Sequence, residues 1–272
     1  MKYREITPPK HLQHVIRFFW IAEADADSAE SVAFRIVADG CPGIIFQQSN
    51  SRYAHGAVIS EPLPNLFLYG QTTRHGILCS FGKTYTIGVN LYSYALKTIF
   101  GYDADEFMDE IVDLDLVQPD LYERLCYAWK TKGKIELLCS FLTEQIAQNT
   151  FVDDKPVMSS IRQINESRGN IPIQSIHSEL QLSERQFQRR FKQQVGVTPK
   201  LFSRIIRFQS ALQQVRSHQY QQLSDVAFDN GYADQSHFIR DFNEFAGLNP
   251  GAYDKGDVSF ICRHREWNMA FS

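Results

Sequence analysis

The sequence lacks the features that mark several protein classes. Its five cysteines (Cys41, Cys79, Cys126, Cys139, Cys262) are odd in number, scattered and nowhere at C-x-x-C spacing. That argues against a disulfide framework or zinc site and for reduced, mostly buried thiols. No apolar run approaches the ~18–20 residues needed to span a bilayer. The opening stretch, Met1 to Pro9, has no apolar core of a secretory signal. His11, His14, His55 and His75 form no H-x-H or H-E-x-x-H pattern, so no metal site is expected. There is no G-x-S-x-G and no glycine run to cradle a phosphate; Gly40-x-x-Gly43 reads as a turn. Ser60-Glu61 and Asp103/Asp105/Glu106 read as turn and helix-start residues, where carboxylates favour the helix dipole. The expectation is a cytoplasmic chain that is not an enzyme and needs no cofactor.

What is present fits one large or two ordinary globular domains: 272 residues, 43% hydrophobic and 22% charged. The formal charge of −3 hides an asymmetry, with residues 1–155 at net −6 and 156–272 at net +3. Within 184–216 eight basic residues face only Glu184. A basic stretch by itself is an ordinary solvated face, so pattern must decide what it means.

Periodicity divides the chain. Apolar runs of strand character span 15–21, 32–37, 44–46, 66–69 and 84–91, separated by turns such as Asp39-Gly40-Cys41-Pro42-Gly43 and Glu61-Pro62-Leu63-Pro64-Asn65. From Ser93 the spacing becomes helical, with a long helix expected from about Ile135 to Gln148. The class expected is α+β: a β-rich sandwich or barrel-like domain with trailing helices (1–150), then an all-α domain (156–255) and a tail (256–272). The polar stretch Asn149 to Pro156 reads as the linker.

The second half contains an internal repeat. Ser183-Glu-Arg-Gln-Phe187-Gln-Arg189-Arg-Phe191 recurs 51 residues later as Asp234-Gln-Ser-His-Phe238-Ile-Arg240-Asp-Phe242, and the same offset relates Gly196 to Gly247 and Pro199 to Pro250. Upstream the offset is 50, pairing Ile173 with Leu223, Ile176 with Val226 and Leu182 with Tyr232, so the second turn is one residue longer. Each copy has the parts of a helix-turn-helix: a short helix (Ile173 to Leu180; Leu223 to Asp229), a tight turn, and a second helix opened by a good N-cap, Ser183 or Asp234. Gly231 supplies a positive φ in the second turn, and Ser183-x-x-Gln186 fits a capping box. Phe187, Phe191 and Val195 share one side of the first of these helices, while Arg185, Gln188, Arg189 and Lys192 share the other. Arg pairs with guanine O6 and N7 and Gln with adenine N6 and N7 in the major groove, so this stripe carries base-reading chemistry. An isolated amphipathic helix would more simply turn that face to water; the capped turn and the repeat favour DNA. Thr198-Pro199 opens a long helix to about Ser217, with Leu201, Ile205, Phe208, Leu212 and Val215 inward, joining the two units.

These residues resemble those of the AraC/XylS family of bacterial transcription regulators over about 160–255. The motifs are Leu182-Ser183 with Phe187 and Phe191, Gly196-Val-Thr-Pro199, Arg207-Phe-Gln-Ser-Ala211, Val226-Ala227-Phe-Asp-Asn-Gly231-Tyr232, Asp234-Gln-Ser-His-Phe238 and Gly247-Leu-Asn-Pro250-Gly-Ala-Tyr253. The resemblance implies a double-stranded DNA operator as partner, with RNA polymerase beyond it, and both second helices in successive major grooves. By motif position it implies base contacts from Arg185, Gln188 and Arg189, and from Gln235, Ser236, His237 and Arg240. The first half resembles, more weakly, a sensing or dimerising domain placed ahead of such units, through Asp39-Gly40-Cys41-Pro42-x-x-Ile45-Phe46, Tyr69-Gly-Gln-Thr-Thr73 and Gly88-Val89.

Two departures matter. His177 stands where the family has a small residue, as Ala227 does in the second copy, and reads as a packing histidine. Residues 223–250 hold Arg240 against Asp225, Asp229, Asp234, Asp241 and Glu244, net −4, which opposes phosphate contact. The first unit is therefore expected to do most base reading and the second mainly to position. For the N-terminal half, Trp20, Phe34, Arg35, Phe46 and Tyr69 are candidates to line an effector pocket, with Arg35 facing an anionic group. Core packing explains the aromatics equally well, and a purely dimerising role, giving a homodimer, is the rival; a fused enzyme is a third class. The tail holds Arg263-His264-Arg265 between Phe260-Ile261 and Trp267, read as a strand, a helix or a DNA contact.

Overall fold

The computed structural model describes residues 2–25, 31–55, 58–128, 133–151 and 154–254. The tail beyond, with Cys262 and Arg263-His264-Arg265, lies outside the described residues. Eight strands form one antiparallel sheet: β1 (Lys2–Ile6), β2 (Ile16–Asp25), β3 (Ser31–Ile36), β4 (Gly43–His55), β5 (Val58–Pro62), β6 (Leu66–Tyr69), β7 (Gly76–Leu91) and β8 (Ile111–Asp113). Their order is β1-β2-β7-β4-β6-β8, with β3 also on β7 and β5 on β4. Two-residue alternation builds the core. Register sets Ile21 opposite Ile87 and Phe46 opposite Ile87 from the other side, and likewise Phe19 and Ile44 beside Val89, so all six point to one buried face. Helices α1 (Ala95–Phe100), α2 (Pro119–Tyr127) and α3 (Lys134–Gln148) cover that face with Leu96, Ile99, Leu125, Leu138 and Leu142. On the other face Trp20 lies across Gly88, where an added Cβ would come within 2.0 Å of the indole. Only glycine admits that approach.

Seven helices follow: α4 (Lys155–Glu166), α5 (Ile173–Glu179), α6 (Glu184–Val195), α7 (Pro199–Ser217), α8 (Leu223–Asp229), α9 (Gln235–Ala246) and α10 (Pro250–Asp254). They enclose two cores. The first joins Val157, Ile161 and Ile164 of α4 to Ile176, Phe187, Phe191 and Val195, closed by Phe202 and Ile206 at the start of α7. The second joins Phe208, Leu212 and Val215 of α7 to Val226, Phe238, Phe242 and Phe245. Thus α7 is inner wall to both units. The expected β-rich half followed by two helix-turn-helix units on a long helix is what the chain forms.

Asn149 and Asp154, either side of the junction between the halves, are both anchored. Asn149 donates from Nδ2 to the carbonyls of Lys97 and Thr98, both at 2.9 Å. Asp154 caps α4 by accepting from Val157 N at 3.2 Å and is gripped by Arg190 of α6 at 2.6 and 2.7 Å.

Candidate nucleic-acid interface

In the first unit, the α5–α6 turn places Gln181 at φ 55°, the backbone state Gly231 takes at φ 72° in the second. Both turns close with the same bond, Leu182 N to His177 O at 3.1 Å and Tyr232 N to Ala227 O at 2.9 Å. The extra residue of the second turn is Ala233, directly before the cap. Helix α6 opens with the capping box: Ser183 Oγ accepts from Gln186 N at 3.3 Å, and Gln186 Oε1 accepts from Ser183 N at 3.2 Å. A cap of this kind is worth about 1 kcal/mol. Phe187, Phe191 and Val195 are buried and Arg185, Gln188 and Arg189 are exposed. Lys192 is 43% exposed and faces Asp105 at 3.5 Å. His177 packs against the Phe187 ring with centroids 6.4 Å apart, the packing role expected of it.

The second unit repeats this frame with Asp234 accepting from His237 N at 2.8 Å. Gln235, Ser236 and Arg240 are exposed and His237 is half-buried beside Tyr232. The acids correct the charge count. Asp241 is fully buried, and Arg204 of α7 reaches it at 2.6 Å and Glu244 also at 2.6 Å. The same guanidinium lies 5.1 Å from the Phe245 ring centroid. Asp225 accepts from Gln222 N at 2.9 Å and Asp229 from Gln214 at 2.8 Å. The net charge of 223–250 therefore overstates repulsion of phosphate, because its main counter-cation, Arg204, lies outside that window. Burial, then the Asp241 charge, push the Tyr232 hydroxyl well above the usual phenol value, with Arg207 and Arg204 acting in the opposite sense.

The β-domain seats both second helices by their C-terminal ends. The last four carbonyls of a helix need partners outside its ladder. In α9, Asn243 O is met by Gly247 N, and the next three accept from the β-domain. Glu244 O takes His75 N at 3.4 Å and His75 Nδ1 at 3.2 Å, Phe245 O takes Ala38 N at 3.2 Å, and Ala246 O takes Arg35 Nη1 at 3.3 Å. Val37 and Ala38 enter the second core, and Gln209 of α7 donates to Ala38 O at 2.5 Å. Gly40, at φ 74°, lies against Phe202 and Ile206. On α6, Gln193 donates to Asp103 at 3.0 Å and Gln194 to Tyr94 O at 3.4 Å. The seating loop is stiffened from below. Arg17 donates to Cys41 Sγ at 2.9 Å and Asn90 Oδ1 at 3.2 Å, Asn90 to Asp39 at 3.4 Å, and burial pushes the Cys41 thiol up to about 12. Sequence reasoning passed over Arg17, Ala38 and Arg204 and weighed His75 only as a metal ligand, since such contacts join residues far apart in the chain.

Of the five effector-pocket candidates, the four whose side chains are described do not converge. Phe46 belongs to the helix-covered core, whereas Trp20, opposite Gly88 and so in register with Ile45, lies on the other side of the sheet. Tyr69 covers Gly43, and Arg35 is spent on Ala246 O. The Phe34 side chain lies outside the described residues. A cleft of about 80 Å³ does open elsewhere, lined by Leu68, Leu96, Phe100, Phe107, Val112 and Leu114 among others, and none of the four reaches it. Among the described residues, no three His, Cys, Asp or Glu are grouped to hold a metal ion, and no helix is long and apolar enough to cross a membrane.

Residues 176–256 match the family described as "Helix-turn-helix domain", and residues 4–113 match "Domain of unknown function (DUF6597)". Among solved structures the chain is similar to ToxT from Vibrio cholerae, at 12% identity and TM-score 0.49, covering 87% of this chain and 98% of that one. It is also similar to the C-terminal domain of AraT, a response regulator from Geobacillus stearothermophilus, at 20% identity and TM-score 0.36, covering 44% and 98%. A third similarity is to the AraC-like transcriptional activator CuxR, at 11% identity and TM-score 0.31, covering 75% and 79%. No curated protein matches the chain.

Proposed function

We propose that the chain is a DNA-binding transcription regulator of the AraC type, a reading supported by the match of residues 176–256 to a helix-turn-helix family, and that α6 is its main base reader. The observation that carries this is the free N-terminal half of α6. Arg185, Gln188 and Arg189 stand exposed on a helix fixed by its cap, its phenylalanines and its seated far end. A helix immobilised in this way spends little entropy on docking. Lys192 adds a phosphate contact after leaving Asp105, and Gln235, Ser236, His237 and Arg240 of α9 hold the second groove in register.

In this reading residues 156–255 bind the operator, and 1–150 bind an effector or pair two copies into a homodimer, acting through the seat under α9. RNA polymerase is the further partner, and reaching DNA places the protein in the cytoplasm; no catalytic role is assigned. Selection of bound sequences from random double-stranded DNA with the full chain tests the reading. A single enriched site, with its strongest positions under α6, is expected; recovery of no preferred sequence would overturn it. Screening small molecules for an effect on DNA affinity separates sensor from dimeriser.

A further inference from the structure

The one acid among the basic residues of 184–216 sits at the first position of α6, and its contact is specific: Gln188 Nε2 donates to Glu184 Oε1 at 2.8 Å, one helical turn apart. An ionised carboxylate only accepts, so the Gln188 amide is held with its NH₂ toward Glu184 and its oxygen turned away. One amide hydrogen is then engaged, leaving the oxygen and the second hydrogen free. That pair matches adenine, whose major-groove edge offers the N6 donor beside the N7 acceptor. Guanine offers two acceptors, O6 and N7, and would need both amide hydrogens, one of which Glu184 holds. The second unit has no such device, since the offset of 51 puts Gln235 and Ile239 at the matching places.

We propose that Glu184 is a specificity-determining residue that acts through Gln188, fixing it as an adenine reader and excluding guanine at that base pair. This rests on α6 being a base reader. A second consequence follows from charge: a carboxylate on the DNA-facing turn opposes phosphate, so Glu184 gives up general affinity while sharpening choice.

The test is selection from random DNA by the full chain and by its Gln188→Ala, Glu184→Ala and Glu184→Gln variants. The base lost in Gln188→Ala marks the position read, and adenine is expected there with the unaltered chain. At that position Glu184→Ala should weaken adenine-over-guanine preference about tenfold, within the range of one bidentate contact. Glu184→Gln, whose amide can donate as well as accept and so no longer fixes which way Gln188 turns, should weaken the preference in the same direction but less than Glu184→Ala, and both variants should bind unrelated DNA more tightly. A change in preference separates this from a purely helix-stabilising glutamate, which would alter affinity for all sequences alike. An enriched site with unchanged preference in Glu184→Ala, or with another base under Gln188, overturns the inference alone; no enriched site at all overturns the DNA-reading premise with it.

Discussion

The two helix-turn-helix units share a frame and differ in where they put charge. At the same point of the second helix, the repeat places Arg190 in one and Asp241 in the other. Each pairs with the scaffold helix that precedes its unit, but with the signs exchanged: Arg190 grips Asp154 at the cap of α4, and Asp241 is gripped by Arg204 of α7. The first pair is partly solvated and the second carboxylate is fully buried. The difference teaches that formal charge along a helix does not measure the field it presents to DNA. What separates the units at the surface is the cations they expose, Arg185 and Arg189 in one against Arg240 in the other, more than the acids they contain.

The comparison is broken most directly at the buried pair. Arg204→Ala should destabilise the chain by about 3–5 kcal/mol, because Asp241 is left buried without the guanidinium that hydrogen-bonds it. Arg190→Ala should cost only about 1 kcal/mol, since its partner keeps its capping bond and its access to water. Urea unfolding of the two variants measures this, and equal losses would erase the distinction drawn here. On DNA the order reverses in favour of the first unit: Arg189→Ala should cost about 1–3 kcal/mol on the selected site, and Arg240→Ala less, by titration at fixed salt. Equal losses would make the units equal readers. Tyr232 sharpens the contrast at high pH. Its folded value is raised, so the stability it contributes is complete below the unfolded phenol value of about 10 and is lost as pH climbs past it. Tyr232→Phe should flatten that alkaline loss, whereas the corresponding residue of the first unit, Leu182, has nothing to titrate. The smallest effect is expected at the half-exposed Lys192–Asp105 contact, where Asp105→Ala should change stability by less than about 1 kcal/mol.

Helix starts, caps and both turns were legible because they are local: Ser183, Asp234 and Thr198 announce themselves within four residues of what they bond. The burial of Asp241 was legible too, since it falls three residues after Phe238 and four before Phe245, on the stripe that packs inward. Counting charge by segment hid it. Three strands escaped for different reasons. β1 alternates too little: Lys2, Arg4 and Glu5 are charged, leaving Ile6 and the Tyr3 ring as its apolar surface. β5 ends in proline and β8 has only three residues. β4 also runs on through Gln47-Gln48-Ser49-Asn50, polar residues that pairing with β7 holds in the sheet. The effector-pocket candidates failed to converge because alternation along a strand assigns sides, and aromatic composition alone does not.

Three of the closing carbonyls of α9 are completed by another part of the chain, and on the proposed reading this gives the β-domain a stake in the operator. Equilibrium coupling is symmetric: by whatever factor a molecule on the β-domain alters operator affinity, the operator alters the hold on that molecule. On the proposed reading DNA is then as much an input to the sheet as the sheet is to DNA, and operator-bound copies would hold that molecule with a different affinity from unbound ones.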